Sequence, residues 1–167
     1  MEGLMKQWLL GLCFFSLSLW GAINDVALPI MNPLSSGDAV EFRMSDYPDG
    51  IFVVEAYFLG CPYCNENAPN VNRLAELFKS EPRVHVLDVG IDSLDEQYEE
   101  WIQRHSPNHL VLKDDSQTLL RQLKTRGYPT VYVINSAREV VFQTSGVWDD
   151  AEFQKVVDAV KTATIQP

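Results

Sequence analysis

Thiols and imidazoles are scarce in this chain, with three cysteines and three histidines in 167 residues. That scarcity excludes a disulfide-stapled scaffold and leaves little from which to build a structural zinc site. Basic side chains are also few, 13 Lys and Arg against 23 Asp and Glu, for a net charge of −10. A surface of that sign repels nucleic-acid phosphates and anionic lipid, so neither is expected as a partner. The acidity reads instead as a soluble, self-repelling surface. The N-terminal apolar stretch at residues 8–20 is thirteen residues without a charge, short of the ~20 that a membrane-spanning helix needs. No internal repeat and no low-complexity segment is found.

What the chain does have is 46% hydrophobic and 22% charged residues, a balance that suits one globular domain. The apolar stretch follows Lys6 and has the length of a signal-peptide core. Ser16, Ser18, Gly21 and Ala22 offer small residues for cleavage, while Leu19 and Trp20 depart from the ideal spacing. Residues 1–22 are therefore expected to be a signal peptide, with an uncleaved N-terminal anchor as the alternative. Residues 23–37, with Pro29, Pro33, Ser35, Ser36 and Gly37, read as a linker, and residues 38–163 as the folded domain. Cys13 lies inside the apolar stretch, so cleavage leaves Cys61 and Cys64 as the only thiols. Export would place that pair where disulfide traffic occurs.

Cys61-Pro62-Tyr63-Cys64 follows the strand-like run 51–58 and opens a helix-like stretch. Two thiols at this spacing can close a small disulfide ring and exchange two electrons with a partner's cysteines. At a helix N-terminus the first thiol is the more acidic, because unpaired N–H groups and the helix dipole favour a thiolate there. Zinc, which uses the same spacing, fails on ligand count: His85, His105 and His109 lie far along the chain with no paired spacing. A purely structural disulfide is the other alternative, but so small a ring constrains little unfolded-chain entropy.

Along the chain, residues 39–44 read as a short strand and 47–50 as a Pro-Asp-Gly turn. The helix after the cysteines is expected to run to about Lys79, kinked at Pro69, with Val71, Leu74, Ala75, Leu77 and Phe78 on its apolar face. Strands are expected at 84–91, 109–112, 131–134 and 140–144. Helices are expected at 94–104, capped by Asp92 or Ser93, and at 117–125, capped by Asp115 or Ser116. A last helix starts at Asp149-x-x-Glu152, a capping-box pattern, with Phe153, Val156, Val157 and Val160 inward. The order implies an α/β fold, a central mixed β-sheet flanked by helices.

These residues resemble the thioredoxin fold over residues 38–163. The resemblance rests on the strand-then-CxxC, on Glu55 six residues before Cys61, on Pro69 in the following helix, and on Arg126-Gly127-Tyr128-Pro129-Thr130. It implies a buried acid at Glu55 and a cis-proline at Pro129 opposite the disulfide. The long stretch between Cys64 and Pro129 is similar to the central helical insertion of exported TlpA-like reductases. Gly60 stands where many thioredoxins have tryptophan, and the Pro-Tyr dipeptide is that of glutaredoxins.

The expected chemistry is thiol–disulfide exchange. Cys61 attacks as thiolate, Cys64 resolves the mixed disulfide, and Glu55 takes or returns the Cys64 proton. The resemblance further implies that Pro62, Tyr63, Tyr128 and Pro129 form the docking rim for an extended substrate. The favoured reading is a monomeric periplasmic reductase of protein disulfides, recharged by a membrane electron-donor protein, with no cofactor beyond the cysteine pair and no metal. A net oxidase or isomerase is the alternative, and a redox-silent binding or chaperone module a third. A peroxidase is disfavoured because no Thr-x-x-Cys arrangement occurs. Trp101 and Trp148 are read as core or surface anchors, and the acidic face at Asp95, Glu96, Glu99 and Glu100 as solvated.

Overall fold

The computed structural model describes residues 21–34 and 39–165. The expected signal segment lies outside these residues except for Gly21 and Ala22, and so does residue Cys13. Two short strands, β1 (Leu28–Pro29) and β2 (Glu41–Phe42), pair antiparallel, and a single 3-10 turn, Met44–Asp46, follows. The chain then forms β3 (Ile51–Tyr57), α1 (Pro62–Phe78), β4 (Val84–Gly90), α2 (Asp95–His105), β5 (Leu110–Lys113) and α3 (Thr118–Gln122). It ends with β6 (Thr130–Ile134), β7 (Val140–Ser145) and α4 (Asp150–Ile165).

The main sheet has the order β5-β4-β3-β6-β7. Strands β3, β4 and β5 run parallel, and β6 and β7 return antiparallel. This is the mixed, helix-flanked sheet of the thioredoxin fold, with α2 and β5 forming the insertion between α1 and the Tyr128–Pro129 loop.

Every residue of β3 is buried, because the central strand is covered on both faces and its apolar run need not alternate. Ile51 and Val53 pack beneath α1 and α4, against Val71, Leu74, Phe153, Val156 and Val160. Phe52, Val54 and Ala56 point the other way, toward Leu119, Leu120 and Leu123 of α3 and its flank. Glu55 and Tyr57 follow the two-residue period onto the α1 side, so an acid enters an otherwise apolar layer.

The structure corrects several expectations. Residues 23–34 are not a loose linker: Ile23 and Leu28 are buried in the α3-side core, and Met31 N donates to Val111 O on β5. Ile23, Val26, Leu28, Ile30 and Met31 give this segment enough buried apolar surface to dock. The expected strand at 39–44 shrinks to two residues, since its partner β1 offers only two. Leu77 is exposed; the buried stripe of α1 runs Cys64, Asn67, Ala68, Val71, Leu74 and Ala75.

The caps also move. α3 is capped by Asp114, whose carboxylate accepts from Thr118, Leu119 and Leu120 N–H at 2.7–3.0 Å. At α2, Gln97 Oε1 accepts from Leu94 N, and Asp92 is used elsewhere. At α4, Asp149 accepts from Glu152 N at 2.7 Å, but the Glu152 carboxylate turns to Thr144 and Lys155, so only half of the capping box forms. No described helix is long and apolar enough to cross a membrane.

Candidate active site

Cys61 is the N-cap of α1, held in extended conformation, and Pro62 occupies the first turn, where its missing N–H costs nothing. Cys61 and Cys64 form a disulfide. Cys64 N–H donates to Cys61 Sγ at 3.1 Å, so a backbone donor and the positive end of a 17-residue helix act on the first sulfur. No such donor is shown on the Cys64 sulfur among the hydrogen bonds of the described residues, so the two sulfurs stand in different surroundings.

The sulfurs sit in an apolar cluster with Tyr57, Ala68, Tyr98, Trp101 and Val111. Cys64 is fully buried and Cys61 is 3% exposed, whereas Tyr63 between them is 63% exposed and Pro62 is exposed as well. Tyr128 packs edge-on against Phe58, with ring centres 5.5 Å apart, at the border of the same cluster. The Tyr128–Pro129 peptide bond is cis, and Pro129 is buried. The chain thus brings the cysteines and Tyr128 together and leaves Pro62 and Tyr63 at the surface.

The approach to Cys61 is braced from the insertion. Asp92 Oδ2 accepts from Leu59 N at 2.8 Å, and Asn65 Nδ2 donates to both Leu59 O and Cys61 O. Asn65 Oδ1 in turn faces Arg104 Nη1 and His105 Nε2 of α2. Burial pushes the Asp92 carboxyl up from its ordinary value, opposed by the Leu59 N–H it accepts.

Under the first turns of α1 lies a set of buried polar groups. Glu55 accepts from Asn67 Nδ2 at 2.9 Å through Oε1, and Asn67 Oδ1 accepts from Trp148 N and Asn70 Nδ2. Asp88, paired with Glu55 across the parallel β3–β4 ladder, accepts from Trp101 Nε1 at 3.0 Å. Its other oxygen lies 3.1 Å from His109 Nε2, although neither atom completes a well-aligned hydrogen bond. Burial first, and the Asp88 charge second, hold the Glu55 carboxyl well above the usual carboxylate range, against the opposing effect of the Asn67 amide. Burial and the same carboxylates also push the Tyr57 phenol above its ordinary value.

Of these groups only Glu55 was singled out from the sequence. Asp88 carried an available signal, a lone acid in the apolar run of β4. Asn67, Trp101 and His109 carried none, since their roles depend on contacts across 12 to 21 residues or on strand register. Among the described residues, no cluster of three or more His, Cys, Asp or Glu is arranged to hold a metal ion.

A model of the AhpC/TSA family matches residues 23–143. Among curated protein sequences none matches significantly. Solved structures share the fold at low identity. A protein assigned as the thiol:disulfide interchange protein DsbE from Chlorobium tepidum superposes with a TM-score of 0.72 at 19% identity, over 86% of this chain and 95% of its own. A secreted Mycobacterium tuberculosis disulfide oxidoreductase gives 0.65 at 11%, over 82% and 95%. The peroxidoxin BcpB of Mycobacterium tuberculosis gives 0.67 at 22%, over 86% and 96%.

Proposed function

The chain belongs to the AhpC/TSA family, and from that premise we propose that it is a thiol–disulfide oxidoreductase whose Cys61–Cys64 pair reduces disulfides in partner proteins. The observation that carries the reading is the disulfide itself, capping α1 with a backbone N–H on Cys61 Sγ and a buried acid in the layer beneath. Cys61 thiolate attacks a partner disulfide, and a mixed disulfide forms as one partner thiolate leaves. Cys64 then attacks Cys61 Sγ, the second partner sulfur leaves reduced, and the Cys61–Cys64 bond is restored. Glu55 takes the Cys64 proton in the second step, a task that suits a carboxyl with raised proton affinity.

Exposed Tyr63 and half-buried Tyr128, with Pro62 and Pro129, form the docking rim. The apolar N-terminal stretch favours export to the periplasm, with or without a retained anchor, and a membrane electron-donor protein as the source of reducing equivalents. The working form is a monomer, and the cysteine pair is the only redox group.

The family name and the peroxidoxin likeness raise a second reading, peroxide reduction. Phe58 rather than threonine stands three residues before Cys61, which argues against it. Both are tested together by offering the reduced protein insulin disulfides and hydrogen peroxide. Turnover of insulin that vanishes in Cys61→Ser supports the proposal. Turnover of peroxide alone replaces it with the second reading, and turnover of neither leaves a redox-silent module.

A further inference from the structure

Charge is spread unevenly along this chain, and the uneven stretch contains the cis-proline loop. Between Asp115 and Asp149 the only acid is Glu139, whereas Arg121, Lys124, Arg126 and Arg138 are basic. Four of the 13 basic side chains thus fall in a stretch almost without carboxylates, in a chain of net charge −10. Arg138 and Glu139 lie in the turn between β6 and β7. That turn is at the far end of the two strands from the loop, since Ile134 pairs with Val140 there and Thr130 with Ser145 at the loop end. Lys124 and Arg126 are therefore the cations nearest in sequence to the Tyr128–Pro129 bond. The acids gather elsewhere, with Asp95, Glu96, Glu99 and Glu100 exposed on α2.

Lys124, Arg126, Gly127, Thr130, Gln143 and Ser145 line a surface depression of about 250 Å³. Gly127 and Thr130 flank the cis bond, so the depression and the docking loop share one piece of backbone. Its floor is fixed. Thr130 Oγ1 donates to Gly127 O at 2.8 Å and, with its single proton spent there, accepts from Ser145 Oγ at 2.9 Å. Gly146 N donates to Pro129 O at 3.0 Å and ties the end of β7 to the loop. Its rim is open: Lys124, Arg126, Gln143 and Ser145 are exposed around buried Thr130. The Arg126 side chain makes no ion pair or hydrogen bond among the described residues. Two cations and an amide without a carboxylate suit an anionic group. The volume falls below the ~300–1,000 Å³ of small-molecule sites, and fits one acidic side chain of a larger partner.

We propose that Lys124 and Arg126 form a specificity site for the exchange reaction, receiving an acidic side chain that flanks the cysteine of a partner protein. This rests on the oxidoreductase reading above, in which Tyr128 and Pro129 belong to the docking rim. A segment seated on that rim brings its flanking residues within reach of Arg126, two residues before Tyr128 in the chain. The Arg126 guanidinium can hold a carboxylate with two parallel N–H donors, and Lys124 adds a point charge. The exposed acids of α2 repel the same partner, so they favour the orientation that turns its acidic flank away from α2.

The test uses the full-length reduced protein and a neutral peptide with one intramolecular disulfide, made in three versions with Glu, Gln or Lys flanking the cysteine. At low salt the wild type is expected to reduce the Glu version with kcat/KM about fivefold above the Gln version, the effect of one well-placed exposed ion pair. The gain should lie in KM and vanish at about 1 M salt, where the Debye length is about 3 Å. A net charge of −10 would by itself favour the Lys version, so a preference for Glu reports the local cations. Lys124→Glu combined with Arg126→Glu is expected to reverse the order, placing Lys above Glu. The ratio is taken within each protein, so a loss of overall activity does not mimic a reversal. Equal values for the three peptides in the wild type, or a preference for Lys, overturn the proposal and leave the oxidoreductase reading intact. A preference for Glu that survives in the double variant overturns it as well. Failure of the wild type to reduce any of the three peptides overturns the oxidoreductase reading and the specificity site with it.

Discussion

Glu55 and Asp88 stand directly opposite each other on neighbouring parallel strands, both buried, with their carboxyl groups under the active-site helix. Two ionised carboxylates so placed repel strongly at low dielectric, so one of them holds a proton over a wide pH range.

Burial and the Asp88 charge raise the proton affinity of Glu55, which makes the stability of the fold pH-dependent. A group whose proton affinity is raised by folding contributes stability below its unfolded value, and that contribution is lost as pH climbs through the folded one. For Glu55 the window opens near the ordinary glutamate value of 4.5 and extends upward to its raised folded value. The oxidised wild type should therefore lose stability as pH rises through this window. Glu55→Gln should flatten that slope, because an amide keeps the acceptor for Asn67 and offers a donor toward Asp88. At the alkaline end the variant should be the more stable by about 1–3 kcal/mol. Urea unfolding at a series of pH values checks this; parallel curves for the two proteins would remove Glu55 as the proton carrier.

Trp101 joins the acid pair to the disulfide layer. Its Nε1–H serves Asp88, its ring lies 4.0 Å from that of Tyr57, and it belongs to the same apolar cluster as both cysteines. Trp101→Phe leaves a buried carboxylate oxygen without its donor and leaves a void, and should cost about 2–4 kcal/mol. Because Trp101 shares that cluster, reduction of the disulfide should change tryptophan fluorescence in the wild type and leave it unchanged in this variant. A full-sized change in Trp101→Phe would place the reporter elsewhere.

Gly90 is held by packing rather than by backbone conformation. A Cβ there would lie 2.7 Å from Tyr98 Cε1 and 2.9 Å from Tyr57 Cζ. The Tyr98 ring cannot simply retreat, because its hydroxyl donates to Gly90 O at 2.8 Å. Gly90→Ala should destabilise by about 1–3 kcal/mol, seen as a lower thermal midpoint. Unchanged stability would mean that the insertion yields where the structure shows it clamped.

Much of the fold was legible in the sequence because it is written in local signals. The apolar run of β3, the CxxC at the head of α1, the strand at 84–91 and the inward positions Phe153, Val156, Val157 and Val160 all follow from period and capping. What escaped depends on register or on remote partners. Glu55 was implied by the resemblance to the thioredoxin family, but its pairing with Asp88 exists only once β3 and β4 are aligned. His109 reaches Asp88 only because β5 is tied to the N-terminal segment, where Asn32 accepts from Val111 N and donates to His109 O. Those same bonds turn residues 23–34 from an expected linker into part of the core. Asp114 displaced Asp115 and Ser116 as a cap because one carboxylate can serve three N–H groups from the strand end.

In the proposed function Cys61 and Cys64 form a dithiol that gives electrons to partner proteins. The most direct test is the reduction potential of the pair, measured by equilibration against defined thiol buffers with the full chain. A value near that of thioredoxin, about −270 mV, is predicted. A value approaching about −120 mV, that of a strong disulfide donor, would contradict the reductase assignment and reverse the direction of exchange.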